Sequence, residues 1–486
     1  MQKADGDSIS MVGGRSQSFD ALDARIASLV KEAGVAGLSL AILQPGGKTL
    51  RLAYGKADCQ RDVPMDERTL LAGASLSKPV FAYLATRLAA QTVFKLDVPL
   101  QDQVDLPLAD LVGRDAVDIK GPWGDVTAEH VLSHTSGLPN LRAIMPNGKL
   151  GFLFPPGERF SYSSEGYVLL QRVLERLSGE GLEVLASREV FKPLSMNSSS
   201  YVRPACSPGL SAVPHGVRGN PLRITQEVLM GSAEPRAGGS LWTTPSDYGR
   251  FLSALGPSDS SSVAPSEMRA PWVSISSENM FGPGAAKGGE TGNGIGLAWT
   301  LGLGMFRTPY GRAYFHTGHA FGWQNYAVVF VDYGVGVVLM SNSDRFESAA
   351  PEILRATVGD EYSPTPWLGF GRPIEDAADC GEPDGGVKKA SVGDAAPYAG
   401  RYRNAGNRTV FVGTDPEGVT IGSGNRVWGY LDREASDAFR ARGEELQIAF
   451  GRTPKGEVDR LEARVQGTTL RTLPRIEGTS FRDECC

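Results

Sequence analysis

Two pairs of strand-like runs, at opposite ends of a region of roughly 350 residues, constrain the fold more than any other feature of the sequence. The first pair covers residues 37–43 and 49–54 and is joined by a Pro-Gly-Gly turn. The second covers residues 324–331 and 334–340 around Asp-Tyr-Gly. Each pair has the apolar runs and the turn residues of a β-hairpin. We therefore expect one antiparallel sheet that both ends of the region complete, with a mostly helical insertion between them.

Helical and linker-like segments flank these hairpins. Residues 19–33 carry apolar side chains at helical spacing and stop at Gly34, and residues 347–358 form a second helical stretch. Residues 362–397 are rich in Pro, Gly, Asp and Ala, which is typical of a linker. Short alternating runs follow and predict a small antiparallel barrel or sandwich. They cover residues 398–403, 409–412, 418–421, 427–431, 446–450, 458–465 and 469–473.

The sequence thus predicts an α+β protein of two folded domains, in keeping with its 486 residues. The predicted segments are a flexible N-terminal segment at 1–18, an α+β domain at 19–360, a linker at 361–396, a C-terminal β domain at 397–478 and a tail at 479–486.

Composition excludes several classes of function. Hydrophobic residues make up 41% and charged residues 21% of the chain, as in soluble globular proteins. A net charge of −6 favours neither nucleic acid nor an anionic membrane as a partner. No apolar stretch reaches the length of about 20 residues that spans a bilayer. Five cysteines without metal-site spacing predict neither a metal site nor a disulfide framework.

Localisation stays open at this point. Residues 1–18 are polar and lack the apolar core of a signal peptide. The protein is therefore either cytoplasmic, or periplasmic or secreted after removal of a signal peptide.

Ser75 and Lys78 open a long apolar run and are the first candidates for chemistry. A serine and a lysine three apart on a helix project from one face, so a hydroxyl nucleophile meets an amine that can take its proton. Pro79 suits the first turn of a helix, which places Ser75 near the helix start. Ser28 and Lys31 have the same spacing within an amphipathic helix, and we interpret that copy as helix surface.

Further blocks follow Ser75-Leu76-Ser77-Lys78 in a fixed order. They are HVLSHTSGLP at 130–139, FPPGERFSYSSEGY at 154–167, AGGSLWTTPSD at 237–247 and HTG at 316–318. In this order the blocks resemble the serine β-lactamase and D,D-peptidase superfamily, in particular the branch of class C β-lactamase-like esterases and D-aminopeptidases. The resemblance covers residues 19–360. It implies a β-lactamase/transpeptidase-like antiparallel sheet flanked by helices, with a helical lobe and a lipocalin-like C-terminal barrel.

The resemblance also implies catalytic roles. Ser75 corresponds to the acyl-accepting nucleophile, Lys78 to its base or proton relay, and Tyr162 to the tyrosine that shuttles the proton to the leaving group. The backbone N–H groups of Ser75 and His319 would form the oxyanion hole.

Substrate-binding positions in the resemblance are Ser164, His316, Thr317 and Gly318. Ser164 stands where the family often has Asn, and His316 stands where it has Lys. An imidazole gives less fixed positive charge than a lysine at neutral pH. Both departures favour esters or carboxylate-free amides over β-lactams and D,D-peptides as substrates.

Four other residues in these blocks and strands are expected to be structural. We interpret His134 and Ser136 as scaffolding beside the helical lobe, and Trp299 and Trp323 as packing residues.

The sequence therefore predicts a serine hydrolase that forms an acyl-enzyme, needs no cofactor or metal, and acts on a small ester or peptide. A carboxylesterase is the first choice. A D-amino-acid-specific peptidase or amidase, a weak β-lactamase, an acyltransferase and a catalytically silent penicillin-recognising scaffold are the alternatives. No nucleic acid or transmembrane segment is expected, and a homo-oligomer is compatible with the sequence.

Overall fold

The computed structural model describes most of the chain. The described residues are 8–113, 117–142, 145, 149–203, 210–230, 234–256, 266–275, 280, 295–371, 396–403, 409–423, 426–442 and 444–476. Within these ranges, no helix combines the length and the apolar character needed to cross a bilayer.

The strands and α-helices alternate irregularly along the chain. The strands are β1 (Ser8–Ser10), β2 (Ser16–Ser18), β3 (Gly37–Leu43), β4 (Thr49–Asp58), β5 (Val63–Pro64), β6 (Leu71–Ala74), β7 (Leu241–Thr243), β8 (Val273–Ser274), β9 (Ala298–Trp299), β10 (Gly304–Thr308), β11 (Gly311–Ala320), β12 (Trp323–Phe330), β13 (Val335–Ser341), β14 (Gly400–Arg403), β15 (Thr409–Asp415), β16 (Gly418–Ser423), β17 (Arg426–Ala435), β18 (Ala438–Ala441), β19 (Gln447–Arg452), β20 (Val458–Val465) and β21 (Thr468–Ile476). The α-helices are α1 (Phe19–Glu32), α2 (Ser77–Ala90), α3 (Leu108–Leu111), α4 (Ala128–Leu132), α5 (Ser164–Ser178), α6 (Leu182–Ala186), α7 (Arg223–Thr225), α8 (Pro245–Ser253), α9 (Phe346–Val358) and α10 (Thr365–Leu368).

A nine-stranded antiparallel sheet organises the larger domain, with the strand order β5-β4-β3-β13-β12-β11-β10-β9-β8. The N-terminal hairpin β3–β4 joins the C-terminal strands through β13, where Leu40 pairs with Leu339. The predicted α+β sheet, completed by both ends of the region, is confirmed. Every residue of β3 is buried, because helices cover both faces of the sheet there.

Two apolar cores lie on the two faces of this sheet. One core contains the buried sides of α2, α5 and α8, and α8 packs directly on β3 and β13. The other contains α1 and α9, which pack against each other. The short β6–β7 pair lies outside the large sheet, and α2 starts just after β6. That junction carries Ser75.

The described part of the predicted flexible N-terminus is folded, which corrects that expectation. β1 and β2 pair as a hairpin, and the Ile9 and Val12 side chains are fully buried in the second core. Polar composition suggested flexibility, but the segment is held by these two apolar side chains and by hydrogen bonds between the Ser10 backbone and the Gln44 side chain, at 2.7 and 3.1 Å. The first part of the predicted linker is also folded, because α10 inserts Trp367 into the same core. Residues 372–395 and the predicted tail lie outside the described residues.

The C-terminal strands β14 to β21 form a closed barrel in sequence order, and β14 pairs with β21 to close it. The predicted barrel is confirmed, with one strand more than the sequence pattern indicated. β18 was missed because it has only four residues and carries an exposed turn on its N-terminal side.

Cys59 is disulfide-bonded, a bond that the sequence analysis, which expected no disulfide framework, did not predict. The other four cysteines lie outside the described residues.

A segment of the larger domain packs into the apolar core of the barrel. Ile224, Val228 and Leu229 belong to the same buried cluster as the barrel interior. Ile224 lies over Gly429, where an added Cβ would be 2.8 Å from the isoleucine side chain. The two domains therefore share a core and do not merely follow each other along the chain.

Glu444 joins the two domains by hydrogen bonds. Its carboxylate accepts the backbone N–H groups of Ile224 and Thr225 at 2.9 and 2.7 Å, and the Thr225 hydroxyl at 2.6 Å. Burial raises the pKa of Glu444 to about 7, although the three donors act in the opposite direction. Because every polar neighbour is a donor, an uncharged side chain at this position would satisfy them less well.

We predict that Glu444→Gln lowers the free energy of unfolding by about 1–3 kcal/mol, because an amide brings an N–H group against donors. Thermal and denaturant unfolding of full-length protein measure the change. Glu457→Gln, in an exposed turn of the barrel, is the matched control and should change stability by less than about 0.5 kcal/mol. Equal effects of the two substitutions would contradict the docking role of Glu444.

Candidate active site

A strained turn between β6 and α2 presents Ser75. Ala74 has a φ of +47°, which L-residues rarely adopt. The Leu76 N–H donates to the Gly73 carbonyl at 2.9 Å, and the Ser77 hydroxyl donates to the Ala74 carbonyl at 2.5 Å. Helix α2 begins at Ser77, so Ser75 precedes the helix by two residues and its side chain is only partly buried. A nucleophile at such a turn is reachable from the cleft while its backbone is fixed.

The Lys78 amine lies against the Ser75 hydroxyl. Its Nζ is 3.0 Å from Ser75 Oγ and donates to the Gly238 carbonyl at 2.7 Å. Burial lowers the pKa of Lys78 to about 7, and the side chain is completely buried. A neutral amine fixed by one carbonyl can accept the Ser75 proton near neutral pH.

Tyr162 completes this group. Lys78 Nζ lies 4.8 Å from the centre of the Tyr162 ring. Burial raises the pKa of the Tyr162 phenol, and hydrogen bonding with Ser75 opposes that rise. The phenol therefore stays protonated and can act as a proton donor, while the Lys78 amine can act as a base.

His134 fixes the backbone on both sides of Tyr162. Its carbonyl accepts the Ser161 N–H at 2.7 Å, and its Nδ1 accepts the Ser163 N–H at 3.0 Å. The His134 and Tyr162 rings lie 4.2 Å apart between centres. His134, expected to be scaffolding, thus belongs to the wall of the site.

Strand β11 approaches the Ser75 turn closely because Gly318 has no side chain. A Cβ at Gly318 would lie 2.2 Å from the Gly73 carbonyl oxygen. The Asn325 amide ties the two segments together by donating to the Gly318 and Ala72 carbonyls, at 3.1 Å each. The proposed oxyanion-hole residue His319 follows Gly318 directly, so its backbone lies next to the strand that leads to Ser75.

His316 and Thr317 are both buried, so neither presents an exposed side chain to a substrate. Burial, with a further contribution from Lys78, lowers the pKa of His316 to about 3. Its Nδ1 lies 2.6 Å from the Thr317 carbonyl, while the Thr317 hydroxyl donates to the Asn325 carbonyl at 3.1 Å. His316 is consequently neutral, whereas a lysine at this position would bring a positive charge.

Ser164 lies next to the site and brings an amide with it. The Ser164 hydroxyl and backbone N–H both donate to Asn140 Oδ1, at 2.8 and 3.2 Å. The Ser164 side chain also lies against Gly238, whose carbonyl holds Lys78. An asparagine amide is therefore present at this edge of the site, although it comes from another segment of the chain.

Sequence reasoning missed the roles of Gly238, Asn140, Asn325 and Ser77. Gly238 stood in a block to which no role was assigned, and Ser77 lies inside the motif itself. Nothing in the sequence signalled Asn140 or Asn325, because their roles arise from contacts between distant segments.

The residues expected to lie outside the group of Ser75, Lys78 and Tyr162 do so. Ser28 and Lys31 are exposed on α1, and the Ser28 hydroxyl bonds to Glu32 at 2.5 Å. Trp299 and Trp323 are fully buried, as packing residues would be.

The fold and this geometry define the chain as a serine hydrolase of the serine β-lactamase and D,D-peptidase superfamily. The family model of beta-lactamases matches residues 22–358. The chain belongs to this beta-lactamase family.

Named relatives agree with this membership. A penicillin-binding protein of Bacillus subtilis (strain 168) is 25% identical over 435 residues, which cover 82% of this chain and 86% of the relative. Esterase EstB of Burkholderia gladioli is 28% identical over 236 residues, which cover 42% of this chain and 56% of the esterase.

Solved structures show the same fold. The octameric penicillin-binding protein homologue from Pyrococcus abyssi has a TM-score of 0.56 and 17% identity, and the match covers 94% of this chain and 100% of the homologue. SurE with D-Leu has a TM-score of 0.52 and 23% identity, and the match covers 94% of this chain and 99% of SurE.

We predict that Ser75→Ala lowers kcat by at least about a thousandfold and leaves the fold intact, because the hydroxyl is the attacking atom. A fluorophosphonate probe followed by peptide mass spectrometry should label Ser75. Ser28→Ala, the same change in the exposed motif, should keep full activity. Labelling at another serine would overturn the assignment.

We predict that kcat/KM falls about tenfold per pH unit below pH 7, because the Lys78 amine must be unprotonated to act as the base. A pH–rate profile on a neutral ester measures this limb. Lys78→Arg should be inactive at every pH, since a guanidinium stays protonated, whereas Lys31→Arg should leave the profile unchanged. A profile that is flat from pH 5 to pH 8 would contradict the role of Lys78 as base.

Proposed function

We propose that this protein is a carboxylesterase that forms an acyl-enzyme on Ser75 and takes acyl donors without a carboxylate beside the reacting carbonyl. The coarser statement, a serine hydrolase of the beta-lactamase family, rests on the family match. The ester preference rests on the charges around Ser75.

The mechanism follows from the contacts of the site. Ser75 Oγ attacks the acyl carbonyl while its proton passes to the neutral amine of Lys78. The backbone N–H groups of Ser75 and His319 would stabilise the negative oxygen that forms. The protonated Tyr162 phenol gives its proton to the leaving alkoxide and recovers one from Lys78. Water then attacks the acyl-enzyme by the same proton path in reverse and releases the acid.

The neutral and buried His316 is the observation that carries the ester preference. A substrate carboxylate placed near His316 would lose water without gaining a positive partner, which costs several kcal/mol for an unpaired charge. A neutral ester has no such cost. The 28% identity to Esterase EstB supports the same choice.

Asn140 favours a second candidate, a peptidase or amidase that accepts D-amino acids. Its Oδ1 is occupied by Ser164, which orients the amide beside the cleft. An amide in this place can bond to a peptide group of the substrate. SurE, whose structure contains D-Leu, provides a reason to include D-aminoacyl substrates in the test.

We predict that p-nitrophenyl esters exceed nitrocefin in kcat/KM by at least about a hundredfold, because the neutral His316 brings no positive charge for a β-lactam carboxylate. His316→Lys should narrow this ratio, because a lysine favours carboxylate-bearing substrates relative to neutral esters whatever its effect on the overall rate. His130→Lys, which puts the same residue at a partly buried histidine whose ring bonds to the Thr127 N–H, is the control and should not narrow it.

The same panel should contain D- and L-aminoacyl anilides. Higher kcat/KM on a D-aminoacyl anilide than on every ester would replace the esterase with the second candidate. A wild-type preference for nitrocefin would refute the argument from His316.

A further inference from the structure

Three buried ring nitrogens behind Tyr162 have no hydrogen-bond partner among the described residues: His134 Nε2, His316 Nε2 and Trp299 Nε1. Their side chains are at most 1% exposed. Buried polar atoms are almost always bonded, because an unpaired one loses its hydrogen bonds to water without replacement. Three such atoms in one cluster of rings point to a common ligand.

The hydrogen positions of the two imidazoles follow from their other nitrogens. His134 Nδ1 accepts the Ser163 N–H, so the proton of this neutral ring is on Nε2. His316 Nδ1 faces the Thr317 carbonyl, which can only accept, so the proton of this ring is on Nδ1 and Nε2 is an acceptor. Burial keeps the pKa of each imidazole below its usual value, which makes both rings neutral.

The cluster therefore offers two donors and one acceptor. The donors are the N–H groups of His134 and Trp299, and the acceptor is His316 Nε2. One imidazole lone pair can accept only one of the two hydrogens, so direct contacts cannot satisfy all three groups. A water molecule accepts two hydrogen bonds and donates to a third group.

The ring separations suit a bridging molecule of this size. The Trp299 ring centre lies 5.2 Å from that of His134 and 5.5 Å from that of His316. The Tyr162 ring packs against the His134 ring at an angle of 34°, and its centre lies 6.1 Å from the centres of both other rings.

We propose that His134, Trp299 and His316 form a binding site for one buried water molecule, which bridges the three rings and positions Tyr162 for proton transfer. The water fixes the orientation of the His134 ring. That ring in turn holds the Ser163 backbone and the face of Tyr162. His134 and Trp299 are thus positioning residues, and the site exists whether the substrate is an ester or an amide.

A crystal structure of the full-length protein that resolves ordered water tests the site directly. The expected result is a solvent peak within about 3.2 Å of all three nitrogens. Well-ordered rings without that peak, or a direct bond between two of the nitrogens, would overturn the proposal.

Kinetics test the positioning role. His316→Gln keeps an acceptor near the place of Nε2, and His316→Leu removes it. We expect His316→Leu to lose the solvent peak and to lower kcat at least about tenfold with little change in KM, and His316→Gln to recover most of both. Equal kcat for the two variants would overturn the positioning role.

Two tryptophan variants separate this effect from packing. Trp299→Phe and Trp323→Phe each remove one buried indole N–H that lacks a partner among the described residues. The described ring contact of Trp323 is Trp242 and not an imidazole. Trp299→Phe should lower kcat about three- to tenfold, whereas Trp323→Phe should lower only stability. An equal loss of kcat in both variants would show that the effect comes from packing alone, and it would refute the proposal.

Discussion

The Asn325 amide holds together the parts of the protein that build the site. It stands in the middle of the large sheet and bonds to carbonyls of β6 and β11, which no strand pairing connects. Gly318 approaches Gly73 closely at this point. Without the Asn325 amide, the buried carbonyls of Ala72 and Gly318 would each lose a hydrogen-bond donor. The Asn325 side chain therefore helps to fix the position of Ser75 relative to the sheet, and hence to its proposed oxyanion hole.

Burial, more than ion pairing, sets the charges around Ser75. The same removal of water that lowers the pKa of Lys78 also keeps His134 and His316 uncharged and Tyr162 protonated. One apolar environment therefore suits Lys78 to the proposed role of base and Tyr162 to the proposed role of acid. This arrangement costs stability, because Lys78 would prefer to be charged in water.

Much of the architecture could be predicted because it follows from local patterns. Apolar periodicity and turn residues predict the hairpins at both ends of the larger domain, helix α1 and seven barrel strands. The motif of Ser75 and Lys78 was readable for the same reason, since both residues belong to one helical turn. The identification of Tyr162 as a candidate depended on the order of several sequence blocks along the chain.

Contacts between distant segments could not be predicted. Nothing in the sequence near Asn140 or Asn325 shows that their amides meet Ser164 and the β6 strand. The folded N-terminal hairpin was hidden by its polar composition, because its anchors are the buried Ile9 and Val12 and hydrogen bonds to distant segments, such as those between Ser10 and Gln44. The insertion of Ile224 into the barrel core was missed because the sequence does not show which distant segment a short apolar run packs against.

That insertion limits how the barrel could be exchanged between proteins. A barrel that shares its core with residues of the larger domain cannot be exchanged for another barrel without changing Ile224, Val228 and Leu229 as well. Recombination at the Gly- and Pro-rich segment between the domains would separate the barrel from the side chains that share its core. The two domains are therefore matched to each other through these side chains, as the halves of an obligate interface are.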